Sequence, residues 1–402
     1  MKIPTVSERL IRVPASPIRK LVPFANAAKK EAIHVYHLNI GDPDIQTPDV
    51  MIKALRTWDK NPISYSSSQG EPVFLDALVW YYHSLGFSFI RPNHIQVTTG
   101  GSEAISMALF SVANPGDDVL IFEPFYTNYN SYAAVHSVRL VPIPTDIQNG
   151  FHLPTKDVIE KSMTSKTKAI LICSPNNPTG TVYTKAEMDM LVDIVTDHGL
   201  YLLSDEVYRE FVYDGITHVS LLSYMQDIPK QAIVLDSLSK RYSLCGARLG
   251  MLVSLNDELM QRVLYIAQGR LSSGLIDQIM ASHLTEVPKT YVDSTQKEYK
   301  KRRDVLYDGL RKIPGVVIHK PEGAFYAIVG LPIDDAEDFA KYLLTTFRDN
   351  NETVMVAPAA GFYATPGCGK NEIRIAYVLN EKALRRSIDI LRNALKAYNR
   401  KQ

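Results

Sequence analysis

Short, largely apolar runs recur through the middle of this 402-residue chain, at 118–122, 169–173, 200–204 and 233–235, with amphipathic stretches between them. Runs without an exposed polar face suit strands covered on both sides, and alternation with helical sequence predicts an α/β fold, a mostly parallel sheet sandwiched by helices. One intervening helix is well marked. Thr184 and Glu187 form a capping box, Met188, Leu191, Val192 and Val195 recur at helical spacing, and Gly199 stops it. Beyond about residue 290 the texture changes to a charged helical stretch over 291–311, strand-like segments at 316–318 and 324–329, and a final helix over 381–398. This predicts a smaller α+β domain, with the N-terminal arm packed on it: residues 1–46 as arm and part of the small domain, 47–290 as the large domain, and 291–402 as the small C-terminal domain.

The functional signals sit where those apolar runs end. After the run at 233–235 come Ser237, Ser239 and Lys240, then Arg248 between small residues. A lysine amine with a lowered pKa suits imine chemistry, and an arginine fork matches two phosphate oxygens. Ahead of these, Thr99-Gly100-Gly101-Ser102 turns a strand end into a helix, leaving free N–H groups at a positive dipole end, a phosphate cradle. It has neither the P-loop spacing nor the dinucleotide fingerprint. Tyr126, past the run at 118–122, is an aromatic able to stack on a flat ring. Asn177 sits in the stiff turn Ser174-Pro175-Asn176-Asn177-Pro178-Thr179-Gly180. Asp205 follows the run at 200–204 and, as a buried carboxylate, requires a cation; Tyr208 lies three residues on. Arg374, in Glu372-Ile373-Arg374-Ile375, alternates with apolar neighbours and can hold a carboxylate if it points into a cleft. Each signal alone is what a plain turn or surface charge would give. Five strand ends of one sheet carrying a cradle, a ring, an amide, a carboxylate and a lysine describe one crevice. Its ligand is a flat, phosphorylated, cationic heteroaromatic that forms an imine, which is pyridoxal 5'-phosphate.

With these motifs in order, the chain resembles the class I/II pyridoxal-phosphate-dependent aminotransferases, the fold shared with aspartate aminotransferase, with a seven-stranded-type sheet. The resemblance runs from about Ser16 to Tyr398. It implies that Lys240 is the Schiff-base and proton-transfer residue, that Asp205 pairs with the pyridine nitrogen, and that Asn177 and Tyr208 bind the ring hydroxyl. It implies Tyr126 stacked on the ring, the phosphate on Gly100, Gly101, Ser102, Ser237, Ser239 and Arg248, and the substrate α-carboxylate on Arg374 near Asn177. Gly41, in Asn39-Ile40-Gly41-Asp42-Pro43, matches a glycine bordering the substrate. Tyr65 matches a tyrosine that reaches the neighbouring subunit's phosphate, which implies a homodimer. The implied reaction moves an amino group from an L-amino acid, with aspartate the best guess, to a 2-oxo acid such as 2-oxoglutarate. Aromatic or alanine donors and a β-lyase are alternatives on the same fold. A non-enzymatic sensor of the cofactor would carry a DNA-binding segment ahead of the fold, and only about fifteen residues precede it. Ser102 stands where one aspartate-using branch has a lysine, so Arg12, Arg19 and Arg270 are the candidate cations for a side-chain carboxylate.

Charge and composition narrow the setting. With 44 basic and 43 acidic residues the net charge is +1, which offers no electrostatic attraction for nucleic acid or an anionic membrane. An apolar share of 46% with 22% charged is that of an ordinary globular protein. No apolar run approaches the roughly 20 residues that span a bilayer. The three cysteines, Cys173, Cys245 and Cys368, lack metal-ligand spacing, suit a reducing compartment such as the cytoplasm, and read as small buried hydrophobes. The first thirty residues are basic like a transit peptide, but Pro4, Pro14, Pro17 and Pro23 interrupt any amphipathic helix, so an ordered arm is expected.

Overall fold

A computed structural model describes residues 3–400. In chain order its strands are β1 (His34–His37), β2 (Ile95–Thr98), β3 (Asp118–Glu123), β4 (Arg139–Pro144), β5 (Thr167–Cys173), β6 (Tyr201–Asp205) and β7 (Ala232–Ser237). They continue with β8 (Gly250–Val253), β9 (Val317–Ile318), β10 (Tyr326–Gly330), β11 (Glu352–Met355), β12 (Ala357–Pro358) and β13 (Glu372–Ala376). Seven form one sheet in the order β2-β8-β7-β6-β5-β3-β4. Neighbours are parallel except β8, which runs antiparallel to both β2 and β7. The apolar runs divide by strand alternation: Leu120, Ile170, Leu202 and Val234 pack on one face, Ile121, Leu171, Leu203 and Leu235 on the other. Both faces are covered, which is why these strands read as continuous apolar sequence.

A second, antiparallel sheet has the order β12-β13-β10-β9, and β1 pairs in parallel with β11. The arm returns to this part of the molecule. Leu21, Ala25 and Ala28 join the core that holds the long helices Lys289–Leu310 and Glu381–Asn399. The helix Glu8–Arg12 instead lies against Asn128–His136, on the seven-stranded side. The capping box of the helix Lys185–His198 forms as expected. Two boundaries differ from the sequence reading. The helix after the double glycine starts at Gly101, since Gly100 already serves as N-cap. The strand expected from 324 starts at Tyr326, because Ala324 adopts φ +54° and donates its N–H to the Phe211 carbonyl at 2.8 Å.

Beneath the carboxyl ends of β6 and β7 lies a buried ion network. Arg209 donates to Glu206 Oε2 at 2.9 Å and to Asp236 Oδ2 at 2.9 Å. Arg241, 1% exposed, donates to Asp236 Oδ1 at 3.0 Å and to Glu210 Oε1 at 2.6 Å, with its guanidinium 4.1 Å from the Tyr81 ring centroid. Removing the carboxylate that both arginines share leaves two desolvated cations under-compensated. Asp236→Ala should therefore cost about 3–5 kcal/mol of folding free energy, read from urea unfolding. A loss below about 1 kcal/mol would show the network to be energetically idle.

Further out, His152 bridges Glu187 (Nδ1 to Oε1, 3.0 Å) and Glu322 (Nε2 to Oε1, 3.5 Å), tying the Lys185–His198 helix to the turn before β10. Hydrogen bonds to Glu187 and then Glu322 push the imidazole pKa up to about 10. An unfolded histidine titrates near 6.5, so this clamp stabilises the fold fully below that pH and loses its effect as pH rises through about 10. His152→Gln should lower Tm most near pH 6, and the gap between variant and wild type should close by about pH 10. A gap independent of pH would mean the imidazole acts by packing alone.

Candidate functional site

Lys240 lies in the short helix Leu238–Arg241, which begins where β7 ends. Its Nζ donates to the Gly41 carbonyl at 2.9 Å, and lies 3.6 Å from Cys245 Sγ and 5.8 Å from the Phe325 ring centroid. Ser237 caps this helix, its Oγ accepting from the Ser239 N–H at 3.1 Å. Across the gap, the helix Gly101–Val112 begins with no side chain capping its first N–H groups. Gly100, at φ +80°, makes this close approach possible: a Cβ there would lie 2.5 Å from Arg248 Nη2. The strand β8 presses in from behind, and a Cβ on Gly250 would lie 2.4 Å from the Gly100 carbonyl carbon. Helix N–H groups, the Arg248 guanidinium and the hydroxyls of Ser102, Ser237 and Ser239 make a donor set of the kind that holds a phosphate.

Asp205 closes β6 and is 4% exposed. Its Oδ2 accepts from the Tyr129 hydroxyl at 2.6 Å and its Oδ1 from the Val207 N–H at 3.4 Å. Burial pushes its pKa up to about 6; those two donors pull it down, and the carboxylates of Asp236 and Glu206 push it up. Among the described residues no cation pairs with it. The carboxylate is therefore suited to a positive group supplied from the cavity side.

Arg374 poses the opposite case. It lies on β13, an interior strand between β12 and β10, and is 2% exposed. One Nη donates to the Asn39 carbonyl, the other to Asn177 Oδ1 at 3.4 Å. The guanidinium lies over the rings of Tyr326 and Phe362, at 4.7 and 5.1 Å. Among the described residues no carboxylate pairs with it, and burial lowers its pKa. Its Nε and the neighbouring Asn39 Nδ2 are buried without a hydrogen-bond partner. Buried donors of this kind are matched by a carboxylate.

These groups line one cavity of about 420 Å³. It brings together Gly41, Gly101, Ser102, Tyr126, Asn177, Asp205, Tyr208, Ser237, Ser239, Lys240, Arg248 and Arg374. Gly100 stands just behind, against Arg248, and Tyr65 lies elsewhere on the chain, 83% exposed. The Tyr126 hydroxyl accepts from Asn128 Nδ2 at 2.7 Å. Of the three spare arginines only Arg19 reaches the cavity. Arg12 lies 3.9 Å from Glu8 on an exposed helix, and Arg270 pairs with Glu103 at 3.3 Å. Cys245 corrects one expectation: it is half-buried and lines the cavity, since the loop before β8 turns its thiol toward Lys240. Among the lining residues that carried no functional signal in the sequence, two make contacts central to the site. Asn39 belongs to the stretch Asn39-Ile40-Gly41-Asp42-Pro43 and carries no signal of its own. Tyr326 read only as strand, yet its hydroxyl lies 3.1 Å from that of Tyr208, and it packs so closely that a Cβ on Gly41 would lie 1.9 Å from it.

The cavity thus offers a phosphate-type cradle, a lysine, a buried carboxylate awaiting a cation and a buried arginine awaiting a carboxylate. Comparison with known proteins agrees in kind. The family model "Aminotransferase class I and II" matches residues 33–391. An aspartate aminotransferase of Pyrococcus horikoshii is 30% identical over 97% of both chains. An aromatic-amino-acid aminotransferase of Thermococcus litoralis is 29% identical over 97% of this chain and 98% of its own. The solved structure of an alanine aminotransferase from Pyrococcus furiosus superposes with a TM-score of 0.89 at 29% identity, covering 98% of this chain and all of that one. The chain belongs to the class I and II aminotransferases, enzymes that move an amino group between an amino acid and a 2-oxo acid.

Proposed function

We propose that the cavity binds pyridoxal 5'-phosphate and that the enzyme transfers the amino group of an L-amino acid, with aspartate as donor and 2-oxoglutarate as acceptor, in two half-reactions. The observation that carries this reading is the placement of Lys240 in one cavity with two buried, unpaired charges of opposite sign, Asp205 and Arg374. The relative named for aspartate supports that donor; the aromatic and alanine names of the other two supply the comparison donors. When bound, the cofactor supplies an aldehyde that condenses with amines and a protonated ring that draws electron density from the substrate Cα. Gly101, Ser102, Ser237, Ser239 and Arg248 hold the phosphate, with Gly100 shaping the cradle. Asp205 keeps the ring nitrogen protonated, Asn177 and Tyr208 hold the ring hydroxyl, and Tyr126 stacks on the ring. Arg374 orients the substrate by its α-carboxylate beside Gly41. Lys240 Nζ would take the proton from the substrate Cα as general base and, as general acid, deliver it to the cofactor carbon that carried the aldehyde. The same reading divides the chain into an arm to residue 46, a cofactor-binding part over 47–290 and a smaller part over 291–402. It places the enzyme in the cytoplasm as a homodimer, with the exposed Tyr65 reaching the second copy's phosphate; exposed Ile63 beside it supports a covered surface.

The decisive measurement is the absorbance of the protein reconstituted with pyridoxal phosphate, before and after L-aspartate is added without an oxo acid. A visible band from cofactor held on Lys240, bleached by aspartate, is the expected outcome. A protein that shows no such band after reconstitution would overturn the reading. Lys240→Ala should lower turnover at least about a thousandfold. Free Asp205 titrates near 6, and the ring nitrogen pairs with its ionised form. Cofactor affinity should therefore be constant above about pH 7 and fall as pH drops through about 6. Asp205→Asn should abolish that dependence.

A further inference from the structure

We infer that Glu123 is a positioning residue for the substrate carboxylate, acting on Arg374 through Phe362. The inference rests on the amino-transfer reading of the cavity, in which Arg374 takes that carboxylate. Two rings meet the Arg374 guanidinium, Tyr326 at 4.7 Å and Phe362 at 5.1 Å. Tyr326 begins β10, which pairs directly with β13, so the sheet itself sets its place. Phe362 has no such support. It ends the single helical turn Ala359–Phe362, in the connection between β12 and β13. That connection is held from the other sheet, by Glu123.

Glu123 is the last residue of β3 and is fully buried. Its backbone is fixed: β4 and β5 flank β3, and the Glu123 carbonyl accepts from the N–H and the hydroxyl of Thr145, at 3.0 and 2.8 Å. Its Oε2 accepts from two successive backbone N–H groups just beyond Phe362, those of Ala364 at 2.8 Å and Thr365 at 3.0 Å. Two residues on from Glu123, the Phe125 N–H donates to the Phe362 carbonyl at 2.9 Å. Tyr363 in turn donates to Glu372 Oε2, on β13, at 2.6 Å. The segment around Phe362 is thus stretched between the end of β3 and the strand that carries Arg374. Among the described residues no cation pairs with Glu123, and its Oε1 is buried without a hydrogen-bond partner. An uncompensated buried carboxylate is costly, and more than a plain loop needs. What it provides is stiffness, since bonds from N–H groups to an ionised acceptor are about twice as strong as neutral ones. This clasp fixes how closely the Phe362 ring stands against Arg374, and with it the direction of the guanidinium donors. Glu123 touches neither substrate nor cofactor.

The test compares Glu123→Asp with Glu123→Gln in the protein reconstituted with pyridoxal phosphate. The first keeps the charge and withdraws the acceptor by one methylene; the second keeps the reach. Calorimetry gives the affinity for propionate, an unreactive monocarboxylate, and titration of the visible band gives that for the cofactor. Glu123→Asp should weaken propionate roughly tenfold, the lower end for loss of a charge-assisted hydrogen bond, and leave cofactor affinity unchanged. KM for L-aspartate and for 2-oxoglutarate should rise together, because both present the same carboxylate, while kcat stays within about threefold. Glu123→Gln should recover most of the loss. Phe362→Leu alone should show the same split between propionate and cofactor affinity. In that background Glu123→Asp should add less than about twofold, because the ring it acts through is gone. Unchanged propionate affinity in Glu123→Asp, cofactor affinity that falls as far as that of propionate, or full additivity with Phe362→Leu overturns the role of Glu123, while wild-type turnover leaves the amino-transfer reading intact. Failure of the wild type to react with any amino acid overturns both.

Discussion

The site depends on how charge is divided across the floor formed by the ends of β6 and β7. At each strand end two consecutive ionisable side chains part company. Asp205 and Lys240 face the cavity, while Glu206 and Arg241, one residue on, turn into the buried network with Arg209, Asp236 and Glu210. The network fixes the backbone directly beside both reactive groups and adds to the contacts each makes for itself, Asp205 with the Tyr129 hydroxyl and Lys240 with the Gly41 carbonyl. Its composition has a further electrostatic effect. Three carboxylates against two guanidinium groups leave the floor negative, and two of those carboxylates push the Asp205 pKa upward. A ring cation docked above relieves both the local repulsion and the burial cost.

The substrate side inverts this logic. Arg374 is buried between aromatic rings with carbonyl and amide oxygens for company and no carboxylate. An isolated guanidinium in such surroundings is costly, and it persists only where the fold over-determines its position. Here β13 is flanked by strands on both sides, and Asn39, from the arm, accepts one of its N–H groups. The uncompensated charges of Asp205 and Arg374 are thus held by two different sheets and face the same space. A ligand positive at one end and negative at the other satisfies both.

Much of this could be read from sequence because the chemistry lies at strand ends. A strand buried on both faces announces itself as an apolar run, and whatever polar residue follows is placed at the rim with little freedom. That places Asp205 and Ser237 at the strand ends themselves, with Asn177 in the turn and Lys240 in the short helix that follow. Residues brought in across the chain carry no such mark. Tyr326 looks like any strand aromatic, and its role arises from contacts with Gly41 and Tyr208, far away in sequence. Asn39 matters through an unpartnered amide and a backbone carbonyl, neither of which is encoded by a pattern. The ion network was equally silent. Asp236 and Arg241 flank the lysine motif, but only the register of β6 against β7 brings Arg209 between them and Glu206. Cys245 was misjudged for the same reason: its small size suits a core, and only the path of the loop before β8 shows its thiol facing an amine.

These long-range contacts also link the two halves of the site mechanically. The Lys240 amine is bonded to the Gly41 carbonyl, and Gly41 lies against the Tyr326 hydroxyl. That hydroxyl meets Tyr208 on the side proposed for the cofactor, while its ring carries Arg374 on the side proposed for the substrate. A side chain at position 41 would collide with this ring, so the glycine is fixed by packing and not by backbone conformation. The consequence is that the arm takes part in the site directly. One stretch of it, Asn39 to Gly41, supplies both the carbonyl that holds the lysine and the carbonyl that holds the arginine, and another carries Arg19 at the mouth. An arm pinned at Pro17 and Leu21 and joined to both reactive poles couples the distance between amine and carboxylate site to the packing of the smaller sheet. In the proposed reaction both half-reactions would use one geometry, because the residues assigned to substrate and to proton transfer are braced against the same few residues.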